Sequence, residues 1–450
     1  MAKQLFGTDG IRGVAGEYPL DRKTAQAVGV ALGKLASRMG PDPEVLLGMD
    51  TRESGPWIAS HVAGGVASAG VRPRFAGLIT TPGIAFLTRT DAFMAGVMIS
   101  ASHNPYQDNG IKIFDHSGYK LADEREHELE TEIFALLAAG VEPAPVDLKE
   151  DPGLDERYLD SLAATYPHSL GGLRLVVDCA NGAATRLAPA LLERLGAQVD
   201  AIGCSPDGRN INLGCGALDV DKLRQTVVER GADMGVALDG DADRAIFVSR
   251  SGKVVDGDGV MLLAARFLLR RGELTGPEGR PTVVATVMSN LGLERALAKD
   301  GIRMLRAAVG DKYVLEAMVR TGAVLGGEQS GHIIFHNYAT AGDGLLTTLR
   351  VIEAMRASGA GLDELTGDLE HYPQRLVNIR VRDRRPLEEL PEVGTEIRAA
   401  EAAFGDSGRI LVRYSGTELL ARVMIEGADE ARVAEHTGRI ADAIQRAIGQ

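Results

Sequence analysis

The chain has few cysteines and few aromatic residues for its length. Among 450 residues there are three cysteines, Cys179, Cys204 and Cys215, and aromatic side chains make up 4%. An odd number of cysteines without C-x-x-C spacing argues against both a disulfide framework and a zinc site. We therefore interpret all three as passive thiols.

Long apolar runs and basic stripes are also missing. No run approaches the roughly 18 apolar residues of a membrane span, and the N-terminal MAKQLFGTDGIRG lacks a signal-peptide core, so we expect a cytoplasmic protein without a membrane partner. The net charge is −13 and the basic residues are scattered, which argues against a nucleic-acid partner. An anionic substrate would therefore need local cations, and glycine-rich loops offer Arg12, Lys112, Arg244 and Arg413.

A strand, polar turn, helix, glycine and strand pattern occurs three times, beginning at Val45–Arg52, Leu173–Gly182 and Thr282–Asn290. This pattern is typical of βαβ units in a parallel sheet, whose loops share a crevice at the carboxyl edge. After Gln374 the regularity stops, and strand-like segments alternate with helices predicted near Leu387–Phe404 and at Glu430–Ile448, which indicates a smaller α+β domain. We predict an α/β protein whose mixed, mostly parallel sheets form three α/β/α domains, followed by a C-terminal α+β domain, with boundaries at 1–150, 151–255, 256–371 and 372–450.

The segment GVMISASHNPYQDNGIKIF, residues 96–114, combines a strand with a reactive loop. Apolar Val97, Met98 and Ile99 run into a polar cluster that contains Ser102 and His103. Pro105 stiffens the turn that follows, because it cannot donate a backbone hydrogen bond. Ser102 is the nucleophile candidate, although this composition alone is equally typical of an ordinary loop.

The segment ALDGDADR, residues 237–244, carries three carboxylates at every second position: Asp239, Asp241 and Asp243. In an extended chain these side chains project to one side, so we expect them to converge on one hard cation. Position 12 counted from Asp239 is Arg250 rather than glutamate, which excludes an EF-hand loop. Because Mg²⁺ prefers oxygen ligands and pairs with phosphates, it is the favoured ion.

Two further loops offer groups that suit a phosphorylated sugar. RYSGTE, residues 413–418, supplies a guanidinium, hydroxyls and backbone N–H groups for an anion. GEQSGH, residues 327–332, sets a carboxylate, a hydroxyl and an imidazole between two glycines. Each loop is a weak signal alone, since glycine-containing turns are common and a lone histidine is more often structural.

The ordered set FGTDGIRG, ISASHNP, DGDADR, GEQSGH and R-x-SGTE, spread over the full length, resembles the α-D-phosphohexomutase superfamily. Within it, ISASHNP and GEQSGH are more similar to the bacterial phosphoglucosamine mutases than to the phosphomannomutase/phosphoglucomutase members. The resemblance implies a heart-shaped arrangement of the four domains around a cleft. One departure is that Tyr414 and Leu419 replace two prolines that are usual in the last motif, which puts the rigidity of that loop in question.

The resemblance also implies roles for individual residues. Ser102 would be the phosphoserine and would share one Mg²⁺ with the aspartate triad. Arg12, His103, Lys112 and His332 would stabilise the transition state and transfer protons. Glu328 and Ser330 would contact the sugar, and Arg244 would help to bind the substrate. The phosphate that is not transferred would be held by Arg413, Ser415, Gly416 and Thr417.

The implied reaction interconverts glucosamine 6-phosphate and glucosamine 1-phosphate through a hexosamine 1,6-bisphosphate, which also acts as activator, and feeds UDP-N-acetylglucosamine and cell-wall precursor synthesis. A homodimer and a kinase acting on Ser102 are further partners that the resemblance allows. We also expect a hinge near Glu370–Pro373 that lets the fourth domain close against water.

Three alternatives remain open from the residues. The chain could prefer glucose or mannose phosphates within the same superfamily. It could be a Mg²⁺-dependent phosphatase with Asp239 as nucleophile, or a phosphosugar-binding protein without catalysis. The last would require loss of the serine or the metal ligands, and both are present.

Overall fold

The computed structural model describes residues 4–7, 9–415 and 419–450. The chain divides into two compact units, the first made of Met1–Met288 with Ile302–Gly367 and the second of Ser289–Gly301 with Asp368–Gln450. Three sheets lie in the first unit and one in the second. Within the described ranges, no helix has the length and apolar character needed to cross a membrane.

The first sheet follows the predicted repeat. Its elements are β1 (Ile11–Val14), α1 (Arg22–Ala36), β2 (Glu44–Met49), α2 (Gly55–Ser68), β3 (Arg72–Leu78), α3 (Thr81–Thr90), β4 (Ala95–Ile99), β5 (Asp108–Asp115) and α4 (Asp123–Ala138). The strand order is β1-β5-β4-β2-β3, with β2 parallel to β3 and β4, and with antiparallel pairing at β5 and β1. Helix α1 begins after Asp21, whose carboxylate accepts the N–H groups of Lys23 and Thr24. It packs closely on α2, because a Cβ on Gly29 would lie 2.0 Å from the Val62 carbonyl oxygen.

The second and third sheets repeat this arrangement. The second is built from α5 (Leu154–Thr165), β6 (Arg174–Asp178), α6 (Leu187–Arg194), β7 (Gln198–Ile202), α7 (Asp221–Arg230), β8 (Met234–Leu238), β9 (Ala245–Ser249) and β10 (Val254–Val255). The third involves α8 (Gly257–Arg270), β11 (Thr282–Thr286), α9 (Leu291–Lys299), β12 (Arg303–Ala307), α10 (Asp311–Thr321), β13 (Leu325–Gly327), β14 (Ile333–Phe335), α11 (Gly344–Ser358) and α12 (Leu362–Leu365). Helix α9 belongs to the second compact unit, although β11 and β12 on either side of it belong to the first.

The strand orders confirm the three-fold repeat. They are β10-β9-β8-β6-β7 in the second sheet and β12-β11-β13-β14 in the third, so β2, β6 and β11 occupy equivalent central positions. The hairpins β4–β5, β8–β9 and β13–β14 are equivalent as well, and all three are antiparallel. They connect through the serine loop, the aspartate loop and the GEQSGH loop respectively. The predicted α/β class is therefore confirmed, and the three loops leave equivalent edges of three related sheets.

The second unit contains the C-terminal α+β domain. Its elements are β15 (Gln374–Arg380), α13 (Pro391–Phe404), β16 (Gly408–Tyr414), β17 (Leu420–Gly427) and α14 (Glu430–Ile448). The antiparallel strand order is β15-β17-β16. The sequence predicts the first helix of this domain from Leu387. Instead, Leu387–Glu389 forms a 3-10 turn and α13 starts at Pro391, because a backbone N–H in the first turn of a helix has no intrahelical partner to lose.

Candidate active site

Ser102 lies in the β4–β5 loop with its hydroxyl against the aspartate loop. The residue is buried, and its backbone φ of +53° falls in the left-handed region that non-glycine residues rarely adopt. The Ser102 hydroxyl donates to Asp239 Oδ2 at 2.6 Å, and Nδ1 of His103 lies 3.3 Å from Ser102 Oγ. The structure thus joins two segments that lie more than one hundred residues apart in sequence.

The three aspartates converge as expected, but not for the expected reason. One carboxylate oxygen of each of Asp239, Asp241 and Asp243 lies within 4.8 Å of the others, and all three residues are buried. The segment is a tight turn rather than extended chain, because Ala242 has a left-handed φ of +59° and its N–H donates to the Asp239 carbonyl at 3.0 Å. The turn, not the period of a strand, therefore gathers the carboxylates.

The carboxylate cluster fits a hard cation. Asp241 Oδ2 accepts hydrogen bonds from Lys112 and Thr81, whereas Asp241 Oδ1 and Asp243 Oδ1 are buried and accept none. Burial, followed by the charges of Asp243 and Asp241, raises the pKa of Asp239 well above its ordinary value. A bound divalent ion would offset the repulsion between these buried carboxylates and would coordinate the oxygens that accept no hydrogen bond.

Lys112 on β5 neutralises much of this negative charge. Its fully buried ammonium lies 2.8 Å from Asp241 Oδ2, 3.1 Å from Asp9 Oδ2 and 3.5 Å from Asp243 Oδ2. Burial alone would lower the pKa of Lys112, but these three carboxylates outweigh it and raise the pKa above its usual range. Lys112 therefore stays charged, which agrees with its predicted role near a phosphoryl group.

Sequence reasoning missed the second half of this network. Lys120 pairs with Asp9 and, at 2.5 Å, with Asp311 at the start of α10. Burial alone would raise the pKa of Asp9. The positive charges of Lys112, Lys120 and Arg12 outweigh burial and hold this pKa well below its ordinary value. Asp9 was visible inside the FGTDGIRG motif, whereas nothing in the sequence marks Lys120 and Asp311 as partners.

Two arginines border the serine. Arg12 on β1 pairs with Asp9, and its Nη1 lies 3.5 Å from Asn104 Oδ1. The Arg244 N–H donates to Asp239 Oδ1 at 3.1 Å, with its Nε 3.9 Å from Asp243 Oδ1. Burial, followed by the charges of Arg244 and Arg12, lowers the pKa of His103 to about 4. The imidazole beside Ser102 is consequently neutral near pH 7.

His332, at the end of the GEQSGH loop, reaches the same cluster. Its Nδ1 lies 3.6 Å from Asp243 Oδ1, and its Nε2 accepts the Gly342 N–H at 3.0 Å. Burial lowers the pKa of His332, but Asp243 and Asp311 outweigh burial and raise it. While Gly342 donates to Nε2, the ring carries its proton on Nδ1, facing Asp243. A second proton on the ring requires that hydrogen bond to break.

The two predicted sugar ligands occupy different environments. Glu328 is buried, and its Oε1 accepts the Gly310 N–H at 3.0 Å. Ser330 is exposed at the tip of the same hairpin. The hairpin is joined to the aspartate loop, because the Ala245 N–H donates to the Gly331 carbonyl at 3.0 Å. The loop therefore presents one fixed carboxylate and one accessible hydroxyl.

The predicted phosphate loop lies in the second unit. Arg413, one residue before the end of β16, lies directly opposite Arg422 on β17. Burial, together with the Arg422 charge, lowers the pKa of Arg413. Ser415 is buried, with its N–H donating to the Leu420 carbonyl at 2.8 Å. Gly416 and Thr417 lie outside the described residues. Two facing arginines form a strongly cationic strand pair, and sequence reasoning had identified only the first of them.

Four family profiles match the chain in succession. They describe phosphoglucomutase/phosphomannomutase α/β/α domain I at residues 3–139, domain II at 156–252, domain III at 256–372 and the C-terminal domain at 376–443. Together they cover most of the sequence.

Curated relatives match end to end. A phosphoglucosamine mutase of Solibacter usitatus is 60% identical over 450 residues and covers 100% of both chains. One of Koribacter versatilis is 52% identical, covering 99% of this chain and 98% of its own.

Solved structures share the fold at low identity. A phosphoglucomutase/phosphomannomutase family protein of Burkholderia thailandensis has a TM-score of 0.80 at 24% identity, covering 98% of this chain and 97% of its own. An N-acetylphosphoglucosamine mutase of Aspergillus fumigatus, solved with GlcNAc-6P and magnesium, has a TM-score of 0.67 at 20% identity, with coverages of 99% and 96%.

Proposed function

The chain belongs to the phosphoglucomutase/phosphomannomutase family, and we propose that it is a phosphoglucosamine mutase acting through a phosphorylated Ser102. The observation that carries this proposal is the contact between the buried Ser102 hydroxyl and Asp239, inside a cluster of three carboxylates. A serine at such a cluster is suited to carry a phosphoryl group beside a bound cation.

The aspartate triad and Ser102 would hold one Mg²⁺. When bound, this ion would act as a Lewis acid on phosphoryl oxygens and neutralise charge that develops there. The Aspergillus fumigatus N-acetylphosphoglucosamine mutase was solved in complex with magnesium, which supports this choice of ion. Lys112 would contribute a second, permanent positive charge to the cluster through its contacts with Asp241 and Asp243.

The reaction moves a phosphoryl group from Ser102 to the free hydroxyl of a glucosamine monophosphate. The resulting 1,6-bisphosphate reorients in the site and then returns its other phosphoryl group to Ser102. Arg12 and Arg244 stand on the borders of the serine and would bind the non-bridging phosphoryl oxygens. His103, neutral near pH 7, and His332 are the candidates to accept the proton of the attacking hydroxyl.

The sugar is the least constrained part of this proposal. Glu328 and Ser330 would contact the sugar hydroxyls and the amino group, and a carboxylate suits the cationic amine of glucosamine. The cationic pair of Arg413 and Arg422, with Ser415, would hold the phosphate that is not transferred. The names of the curated relatives favour glucosamine phosphate over glucose or mannose phosphates.

The test is a paired measurement of covalent state and turnover. Intact-mass spectrometry of the protein, before and after incubation with Mg²⁺ and a hexose 1,6-bisphosphate, should show one added phosphoryl group, located on Ser102 by peptide mapping. Ser102→Ala should abolish that adduct and lower turnover of glucosamine 6-phosphate by on the order of 10³-fold or more. Comparison of kcat/KM for glucosamine, glucose and mannose phosphates then tests the sugar.

The same experiment distinguishes the phosphatase alternative. A phosphoserine survives acid, whereas an acyl-phosphate on Asp239 is labile and reacts with hydroxylamine. An acid-labile adduct that persists in Ser102→Ala, together with stoichiometric release of inorganic phosphate, would refute the mutase proposal.

A further inference from the structure

The turn after β2 contains a buried arginine that donates four of its five side-chain hydrogen bonds to the backbone of the serine loop and the first residue of β5. Arg52 is 1% exposed, and its Nε donates to Asp50 Oδ2 at 2.9 Å. Two of its other four N–H donors bind carbonyls at the start of the serine loop, at Ser102 and Asn104, both at 2.9 Å. The remaining two bind the carbonyls of Pro105 and, at 3.1 Å, Asp108 at the end of the loop.

This arrangement uses the complete donor set of a guanidinium. Arginine carries five N–H donors in a planar fork, and here one binds a carboxylate and four bind backbone oxygens. The loop is thereby wrapped around one side chain, with both of its ends fastened to the same rigid group. Lysine cannot reproduce this, since its three donors radiate from a single nitrogen.

The partner of Arg52 is fastened to the same loop. Asp50 Oδ2 also accepts the Ser100 hydroxyl at 2.6 Å, and the Ser100 hydroxyl oxygen accepts the Ser102 N–H at 2.9 Å. The backbone of Ser102 is therefore held at its N–H through Asp50 and at its carbonyl through Arg52. A residue with a left-handed φ needs such external restraint, because its own steric preference opposes that conformation.

A second set of hydrogen bonds to the serine loop comes from the connection between β7 and α7 in the second sheet. Asn212 Nδ2 donates to the Ser102 carbonyl at 2.9 Å and to the Asn104 carbonyl at 3.2 Å. Gly240 of the aspartate loop packs against the same point, since a Cβ there would lie 2.5 Å from the Ser102 carbonyl oxygen. The Ser102 carbonyl is thus the point at which the serine loop is located relative to the aspartate loop.

We propose that Arg52 is a positioning residue that holds the Ser102 hydroxyl in register with Asp239, with Asn212 as its auxiliary. This role rests on the proposed phosphoserine function. Arg52 contacts backbone carbonyls and Asp50, none of which reacts, so it acts through the geometry of the serine loop. Its loss should change the rate of phosphoryl transfer and leave the sugar contacts intact.

The test compares Arg52→Lys with Arg350→Lys, a matched control. Arg350 is also buried and donates to a backbone carbonyl, that of Thr165, at 2.6 Å, but it contacts none of the proposed site residues. Steady-state kinetics with glucosamine 6-phosphate, thermal melting and intact-mass measurement of the phosphorylated fraction are recorded for both. We expect Arg52→Lys to lower kcat by about 10- to 100-fold, because a misplacement near 1 Å costs about that much, with KM unchanged. Arg350→Lys should keep the wild-type kcat.

Asn212→Gly supplies an independent arm. Asn212 has a φ of +59°, which glycine adopts freely, so this change removes the amide without disturbing the backbone. Because Arg52 still binds both carbonyls, we expect a smaller loss in kcat, about two- to tenfold. If Arg52→Lys is not recovered folded, a lowered kcat in Asn212→Gly still supports the clamp.

Three results would overturn the inference. One is a kcat of folded Arg52→Lys within twofold of wild type. Another is a loss in Arg52→Lys that Arg350→Lys matches. The third, should Arg52→Lys not fold, is wild-type kcat in Asn212→Gly. If the wild-type protein neither gains a phosphoserine nor converts any hexose phosphate, both the proposed function and the positioning role are refuted. If the wild-type protein is active and the variants are equally active, only the positioning role is refuted.

Discussion

Replacing Lys112 with methionine should make the stability of the protein depend on Mg²⁺. The Lys112 ammonium is buried and lies 2.8 Å from Asp241 Oδ2, 3.1 Å from Asp9 Oδ2 and 3.5 Å from Asp243 Oδ2. Methionine fills nearly the same volume, so the substitution removes the charge with little change in packing. The carboxylates of the triad are then left without their main internal counter-charge.

The size of the effect follows from these contacts. Removing one partner of a buried ion pair costs about 3–5 kcal/mol, since the remaining charge is desolvated and uncompensated. For a folded unit of several hundred residues, about 2.1 cal/mol/K of unfolding entropy per residue converts this to a melting temperature lower by roughly 5 °C. A divalent cation on the triad restores positive charge, and binding at 100 times its Kd contributes about 2.7 kcal/mol. More than half of the loss should therefore be recovered in Mg²⁺.

Thermal melts with EDTA and with a Mg²⁺ titration measure both quantities. Lys34→Met is the matched control, because Lys34 pairs with Glu132 at 2.6 Å on the surface, where an ion pair is worth about 0–1 kcal/mol. Wild type and Lys34→Met should also gain stability from Mg²⁺, but less than Lys112→Met, because Lys112 already offsets part of the negative charge that the ion would meet. Equal responses in all three proteins, or an unchanged melting temperature of Lys112→Met in EDTA, would refute the view that lysine and cation share the charge of one cluster.

Two further predictions test the packing around Ser102 and the titration of Asp343. Gly240→Ala places a methyl group 2.5 Å from the Ser102 carbonyl, so kcat should fall by about tenfold or more in steady-state assays; wild-type kcat would contradict this contact. Burial raises the pKa of Asp343 from 3.8 to about 6, so the folded protein retains a proton that the unfolded chain loses. Stability should therefore fall by on the order of 3 kcal/mol from about pH 4 to 6 and then level off. Asp343→Asn, which keeps an oxygen for the Leu345 and Leu346 N–H groups, should melt higher at pH 8 and lose this slope in melts at several pH values; an unchanged slope would contradict the assignment.

The repeated strands and the amphipathic C-terminal helix could be predicted from sequence because their signals are local. The runs at Val45–Arg52, Leu173–Gly182 and Thr282–Asn290 correspond to β2, β6 and β11, three equivalent strands, although β2 begins one residue earlier, at Glu44. The helix expected at Glu430–Ile448 has those bounds, since most buried positions along one face are apolar and Asp429 caps its start. Where side-chain period and turn chemistry agree, a short window decides the structure.

The parts that sequence could not supply depend on contacts between distant residues. Lys120 meets Asp311 across 191 positions, and Asn212 reaches Ser102 across 110. No periodicity links such pairs. The aspartate triad shows the same limit in another form. Its three carboxylates lie close together as expected, but the extended geometry assumed for them was wrong, because a left-handed Ala242 makes the segment a turn. Composition identifies which groups can act, and backbone conformation decides how they meet.

The equivalence of the three hairpins explains how loops from three separate sheets supply residues to one site. Each of the three loops joins the equivalent pair of strands in its own sheet. The loops therefore start from the equivalent edge of each sheet and differ in the residues that they carry. The β4–β5 loop carries Ser102, the β8–β9 loop carries the triad, and the β13–β14 loop carries Glu328 and His332. The serine and the triad then require one direct hydrogen bond, and His332 reaches Asp243 from the third loop. Precision at the meeting point must accordingly come from residues behind the loops, which is the position that Arg52 occupies.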